Sequence, residues 1–252
     1  MEFICSKNYF KIQMKIKQFL AAPFSLIPTL LKSILNFVYP PYCIVCNSHL
    51  QQTGRLICDS CWNSFPMIDE NYDIYDEIKS KISGPVYFSN AISVWEFSPA
   101  IQDIIHYLKY QNFKTLANRI GIFMANRLKK LEFSKEKTII IPVPLHKTRM
   151  RERGYNQSAL LCSVIASESN LPFNDQILQR IRYTQSQTKL NAAERIKNVQ
   201  NAFKVSSPKE IESKIIVLVD DVITTGATIN ECAKELIKAG AEGVNLLSIA
   251  KV

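Results

Sequence analysis

The sequence predicts an α/β fold, a mostly parallel sheet flanked by helices, preceded by a small cysteine-rich module. Three observations carry this reading. From Thr138 onward, aliphatic strand-like runs alternate with helical segments, the order that builds a parallel sheet. Ile216, Val217, Leu218 and Val219 follow one another without polar alternation, as in a strand covered on both faces. Four of the seven cysteines fall into two Cys-x-x-Cys pairs, far ahead of that alternation.

At 252 residues the chain has room for one large domain and an appendage. Its net charge of +9 favours anionic partners, whether a phosphorylated ligand, nucleic acid or a membrane surface, with solvated surface lysines as the plainer alternative that charge alone leaves open. Residues 1–33 form a basic and apolar leader: Lys11, Lys15 and Lys17 precede an apolar run over 19–38 that Pro23, Pro28 and Lys32 interrupt. Those breaks speak against a membrane span, and no small-residue cleavage site follows, which speaks against a signal peptide. Residues 24–38 read as a short amphipathic helix, with peripheral membrane contact as the alternative. The expected division is therefore 1–33 leader, 34–84 helix, cysteine module and acidic linker, and 85–252 main domain.

Cys43 and Cys46 form one knuckle and Cys58 and Cys61 a second, eleven residues on. In each knuckle both sulfurs reach one ion, and two knuckles close a tetrahedral four-thiolate zinc site. Such a site has no open position, so it holds structure and does no chemistry. A redox pair would need only one knuckle, and a disulfide framework would not leave Cys5, Cys162 and Cys232 isolated. His49 lies inside the loop as a bystander.

Residues 67–82 are acidic and turn-rich and read as linker or exposed surface. Residues 86–97 alternate and suggest two short strands. Ser98 before Pro99 is a helix start, and residues 100–110 place Ile101, Ile104, Ile105 and Leu108 on one face. A second helix is expected over 115–131. Residues 138–143 form a buried strand leading into a loop dense in cations, with His146, Lys147, Arg149, Arg151 and Arg153, before a helix that follows Gly154. Strand, basic loop and helix suit a pyrophosphate better than a solvated basic face. Residues 178–203 are polar and basic without a clean apolar stripe, which fits a lid or a plain loop. Strand 214–221, helix 229–239 closed by Gly240, and strand 244–252 complete the chain.

The chemistry concentrates in residues 216–228. Here a buried strand runs into Asp220 and Asp221, then into Thr224, Thr225, Gly226, Ala227 and Thr228, then into a helix. Converging backbone N–H groups, a glycine and three threonine hydroxyls make an anion cradle. Two carboxylates beside such a cradle make sense when the ligand carries a phosphate and, nearby, vicinal hydroxyls that need acceptors. A helix cap would require one aspartate, not two.

This stretch resembles the phosphoribosyl-diphosphate (PRPP) motif of type I phosphoribosyltransferases at every position. The resemblance implies that Asp220 and Asp221 hold the ribose 2- and 3-hydroxyls and that residues 224–228 hold the 5-phosphate, with Mg²⁺ accompanying PRPP. The order of the cysteine knuckles, His106-Tyr-Leu-Lys-Tyr, Pro-Val-Pro-Leu-His with Arg-Gly-Tyr-Asn-Gln, Thr184-x-x-Gln187 with Leu190, Arg195 and Asn198, and the aspartate motif resembles the ComF/GntX family from about residue 34 to the end. That family joins a zinc ribbon to a phosphoribosyltransferase domain and is linked to uptake of single-stranded DNA in competent bacteria. It implies pyrophosphate contacts from Arg153, Gly154 and Tyr155, and a lid carrying Thr184, Gln187, Arg195 and Asn198. It also implies a cytoplasmic protein, with competence machinery at the inner membrane and single-stranded DNA as candidate partners. No cysteine follows Cys61 until Cys162, so one zinc is expected. Three functions stay open: a phosphoribosyl transfer enzyme of unknown acceptor, a nucleic-acid-handling accessory, and a ligand sensor without catalysis. No residue reads out a nucleobase, and the oligomeric state is not legible.

Overall fold

The computed structural model of the chain describes residues 41–51, 55–69, 71–110, 114–131, 134–183 and 198–252. The leader and the helix expected over 24–38 lie outside them. The chain divides into two compact units, one ending at Ser64 and one running from Phe65 to Val252. No described helix is long and apolar enough to cross a membrane.

In the first unit the Cys43 knuckle is a tight turn. Asn47 takes a left-handed backbone (φ 58°) and its amide donates to the Cys43 carbonyl at 2.9 Å. The second knuckle leads into α1 (Asp59–Ser64), which buries Cys61 and Trp62.

The second unit is built on a four-stranded sheet whose neighbouring strands are all parallel: β1 (Asn90–Glu96), β6 (Gly243–Lys251), β5 (Ile215–Ile223) and β2 (Thr138–Pro142), in that spatial order. All five residues of β2 and the aliphatic part of β5 are buried, as unbroken apolar runs require. Pro142 pairs with Val219, so the loop that follows β2 begins beside Asp220 and Asp221 of β5. A loop site beyond the carboxyl ends of adjacent strands is the geometry open α/β sheets use.

Five segments differ from expectation. Residues 86–97 hold one strand, not two. β1 runs parallel to β6 with Ala91 to Trp95 all buried, so covering on both faces, not hairpin alternation, sets its pattern. Residues 67–82 are not a linker. They contain α2 (Tyr75–Lys81), and Ile68, Ile74 and Ile78 enter the core while Asp76 faces out. The Asp73 carboxylate accepts from the Ala91 and Tyr75 amides at 3.0 and 2.8 Å, fixing this segment to β1. The basic loop is a helix, considered with the site below. The helix after α3 (Pro99–Tyr110) is α4 (Lys114–Leu128), which stops short of 131. Residues 178–203 are not lid or loop throughout: Leu178–Arg180 (β3) pairs antiparallel with Phe203–Val205 (β4).

The remaining elements follow their signals. Ser98 Oγ accepts from the Ile101 amide at 3.3 Å, and Ile101, Ile104, Ile105 and Leu108 of α3 are buried together. α7 (Ala227–Lys238) packs Ile229, Ala233 and Leu236 with Ile216 and Leu218 of β5.

If residues 67–82 were a linker, truncating them would cost nothing. With Ile78 buried in the core, Ile78→Ala is expected to destabilise the protein by about 2–5 kcal/mol in urea unfolding. An unchanged midpoint would return the segment to the surface.

Candidate functional site

β5 delivers Asp220 and Asp221 to its carboxyl end, and the chain turns through Thr224, Thr225 and Gly226 into α7. Gly226 has φ 73°, a left-handed conformation at the N-cap of α7. A Cβ there would stand 2.4 Å from Ile78 Cγ2, so the turn rests directly on α2. The segment expected as linker is the floor beneath the phosphate-type turn.

A cleft of about 350 Å³ opens over this turn. Asp220, Asp221 and residues 224–228, Ala227 included, line one side, so the expected acids and cradle share one site. Residues 143–146 after β2 border it, with Arg149, Arg153 and Gln157 beyond, and α3 adds Lys109 and Tyr110. Arg180, at the end of β3, completes the lining. Among the described residues, Lys109, Arg149, Arg153 and Arg180 set four cations against two carboxylates.

The acids are held by donors from three elements. Lys109 Nζ lies 2.8 Å from Asp221 Oδ2, and Gln157 Nε2 donates to the same oxygen at 2.9 Å. Asp220 Oδ1 accepts from the Asp221 amide at 2.8 Å and from Ser158 Oγ at 3.3 Å. Burial, with the Asp221 charge beside it, pushes the Asp220 carboxyl up to about 7. Burial also pulls the Lys109 ammonium down, but Asp221 more than offsets this and holds it above its ordinary value.

The cations arrive on a helix that the sequence does not announce. α5 (Lys147–Arg153) has no buried residue, hence no apolar stripe, and its ends define it. His146 Nδ1 accepts from the Thr148 amide at 3.2 Å, and Gly154 closes the helix with φ 78°. α6 (Gln157–Ser169) then begins at Asn156, whose side chain accepts from the Ser158 amide at 3.1 Å. Arg153 reaches the cleft, donating to Gln157 Oε1 at 2.8 Å with its guanidinium 5.0 Å from the Tyr110 ring. Gly154 and Tyr155 do not line the cleft. Gly154 is exposed, and the Tyr155 hydroxyl donates to the Leu108 carbonyl, tying α6 to α3.

Of the expected lid residues, Thr184, Gln187 and Arg195 lie outside the described residues. Asn198 is described, and its carbonyl accepts from Arg182 Nη2 at 3.0 Å. Arg180 was not anticipated; its guanidinium sits 5.3 Å from the Phe203 ring, and burial lowers its pKa. Lys109, Gln157 and Ser158 were also not singled out as site residues, whereas His146 and Arg149 of the expected cation-dense loop do line the cleft. For Lys109 a signal existed: it follows Ile105 by four residues and so continues the buried stripe of α3, where a cation needs a partner.

In the first unit, the sulfurs of Cys43, Cys46, Cys58 and Cys61 all lie within 4.8 Å of one another. Cys43 Sγ to Cys61 Sγ is 3.8 Å and Cys46 Sγ to Cys58 Sγ is 3.7 Å. A tetrahedron with zinc–sulfur bonds of about 2.3 Å has edges of about 3.8 Å, so the donor set fits a structural zinc. His49 is not part of the cluster and packs edge-on against Tyr42. This is the sole such cluster among the described residues.

Comparison with known proteins agrees with both units. Residues 34–72 match the double zinc ribbon domain family, and residues 157–251 match the phosphoribosyl transferase domain family. The competence protein F of Haemophilus influenzae is 31% identical over 87% of this chain and 87% of its own. The DNA utilization protein YhgH of Escherichia coli is 27% identical over 83% of this chain and 89% of its own. Competence protein ComFC of Bacillus subtilis is 24% identical over 79% and 78%. Among solved structures, the glutamine PRPP amidotransferase of B. subtilis superposes with a TM-score of 0.38 at 17% identity, covering 56% of this chain and 30% of that one.

Two outcomes follow from the geometry. Elemental analysis should find one zinc per chain, and Cys43→Ser should lower that stoichiometry and the stability together; metal-free protein that stays folded would contradict the zinc site. For Asp220, the folded state keeps its proton up to about pH 7 while the unfolded chain releases it near 3.8. The stability this contributes is present at low pH and is lost as pH rises through that window. Asp220→Asn should therefore gain on the unmodified protein between pH 5 and pH 8 in urea unfolding. Parallel curves would count against the raised carboxyl.

Proposed function

The chain belongs to the ComF/GntX family, and from that membership we propose that its cleft binds PRPP or a related phosphorylated ribose, in a protein serving DNA uptake or nucleotide metabolism. The observation that carries the reading is the shared cleft: two carboxylates, a hydroxyl-rich turn at a helix N-terminus, and cations opposite. In it, the amides and hydroxyls of residues 224–228 take the 5-phosphate, and Asp220 and Asp221 accept from the vicinal ribose hydroxyls. Arg153, with Arg149 beside it, faces the diphosphate. Gly154 and Tyr155 serve by ending α5 and anchoring α6, which aims Arg153. Thr184, Gln187, Arg195 and Asn198 belong to the segment assigned to cover the ligand.

Phosphoribosyl transfer would follow from this arrangement if an acceptor enters. The sugar develops oxocarbenium character as pyrophosphate leaves, so catalysis lies in orienting the ribose and neutralising the leaving group. Mg²⁺ comes with PRPP and supplies charge neutralisation on the diphosphate. Binding does not require that turnover is retained, and a sensor would keep the same contacts.

A second reading is favoured by the charge. The net charge is +9, the cleft lining carries more cations than acids, and relatives bear names of DNA utilization and competence proteins. An accessory protein that grips single-stranded DNA in the cytoplasm, at the inner face of the membrane, would use the same phosphate sites. Of the aromatics near these cations that could stack on bases, Phe203 is buried and Tyr155 is tied to α3, leaving Tyr183 exposed, with Tyr110 beside Arg153.

PRPP with Mg²⁺ at a hundredfold excess over its Kd should stabilise the protein by about 2.7 kcal/mol, seen as a raised melting temperature. Replacing both acids (Asp220→Asn with Asp221→Asn) should abolish the shift; an undiminished shift would remove the ribose assignment. Pyrophosphate release from PRPP with pooled bases separates the enzyme from the accessory. Silence there, with binding to single-stranded DNA that falls steeply with salt, would favour the accessory.

A further inference from the structure

The block His106-Tyr-Leu-Lys-Tyr contains a lysine, Lys109, to which the proposed function gives no task. Lys109 stands at the end of α3, its side chain one-quarter exposed, with Nζ 2.8 Å from an Asp221 carboxylate that is itself 8% exposed. Adjacent carboxylates in a confined cleft repel each other, and a nearby cation is what lets one of them stay ionised. In many sugar-phosphate sites a divalent ion fills that place. Here an ammonium already does, and Gln157 Nε2 joins it on the same oxygen.

The distribution of donors matters as much as the charge. Lys109 and Gln157 both occupy Asp221 Oδ2, while Ser158 Oγ and the Asp221 amide both occupy Asp220 Oδ1. Among the described residues, no donor is directed at Asp221 Oδ1 or Asp220 Oδ2. Once Asp220 is ionised, the pair thus presents two acceptor oxygens from consecutive residues, the demand of a vicinal diol, with the Asp221 charge already countered by Lys109.

We propose that Lys109 is the resident counter-cation of the Asp220–Asp221 pair, a positioning residue that lets the site engage a ribose 5-phosphate moiety without a divalent metal. Any metal requirement is then confined to the diphosphate of a larger ligand and does not arise at the acids. A Mg²⁺ held by the protein alone does not fit the carboxylate pair while Lys109 is in place. This rests on the phosphorylated-ribose reading of the cleft.

The test is calorimetric binding of ribose 5-phosphate, in chelator and in Mg²⁺, to the unmodified protein and to Lys109→Met. The unmodified protein should bind within about twofold in the two buffers. Lys109→Met should bind at least tenfold more weakly in chelator and recover with Mg²⁺, and Mn²⁺ titration followed by EPR should show a bound ion in that variant only. Lys109→Met with Asp221→Asn removes both charges and should fold, leaving no uncompensated buried ion, yet show no recovery with metal. A purely structural lysine would give a variant that metal does not rescue. Equal binding by Lys109→Met in chelator, or strict Mg²⁺ dependence in the unmodified protein, would overturn the proposal while leaving the phosphoribose reading intact. No binding of ribose 5-phosphate in either buffer would remove that reading, and the proposal with it.

Discussion

Two like charges at the end of one strand are the constraint around which this cleft is arranged. β5 is buried from Ile216 to Val219, which fixes the strand that carries Asp220 and Asp221 into the cleft. Their repulsion is met from outside the strand: an ammonium from α3, an amide from the first residue of α6 and a hydroxyl from the next. Three elements must therefore dock correctly for the acids to be tolerated. Ser98 starts α3, Asn156 caps α6, and the Tyr155 hydroxyl links the two, so modest local signals place the donors within reach of the carboxylates. Beneath the neighbouring turn, α2 meets Gly226 so closely that no side chain is admitted.

Much of this was legible in the residues. The aliphatic run into Asp220 and Asp221 gave the strand, the acids and the cradle with their order intact. The cysteine spacing gave the metal module, and the stripe of Ile101, Ile104, Ile105 and Leu108 gave the buried face of α3. What escaped has a physical reason in each case. α5 buries nothing, so no periodicity marks it, and its helical state comes from a histidine cap and a left-handed glycine. α2 buries Ile78 within a seven-residue helix dominated by polar side chains, and composition hid it. Arg180 looks like a surface cation in one dimension, and only the pairing of β3 with β4 accompanies its place in the cleft lining, whereas Lys109 was marked by its position on the buried stripe of α3. Gly154 and Tyr155 came in as contacts through the family resemblance; in three dimensions Gly154 closes α5, the Tyr155 hydroxyl bonds to the Leu108 carbonyl, and neither lines the cleft.

The two units divide the physical work. The cysteine cluster asks for a closed, structural ion and offers no open position to a substrate. The sheet unit places its chemistry in one cleft where anions meet cations, hydroxyls and two acids. Relatives named competence and DNA utilization proteins fit that balance, since cations and hydroxyls gathered in one cleft suit phosphate groups.

A crystal of the unmodified protein soaked with ribose 5-phosphate puts the matter most directly. The phosphate should lie within hydrogen-bonding distance of the amides and hydroxyls of residues 224–228, with the vicinal hydroxyls on the Asp220 and Asp221 carboxylates. A sugar phosphate held by the α5 arginines alone, or bound with its hydroxyls away from the acids, would contradict the account.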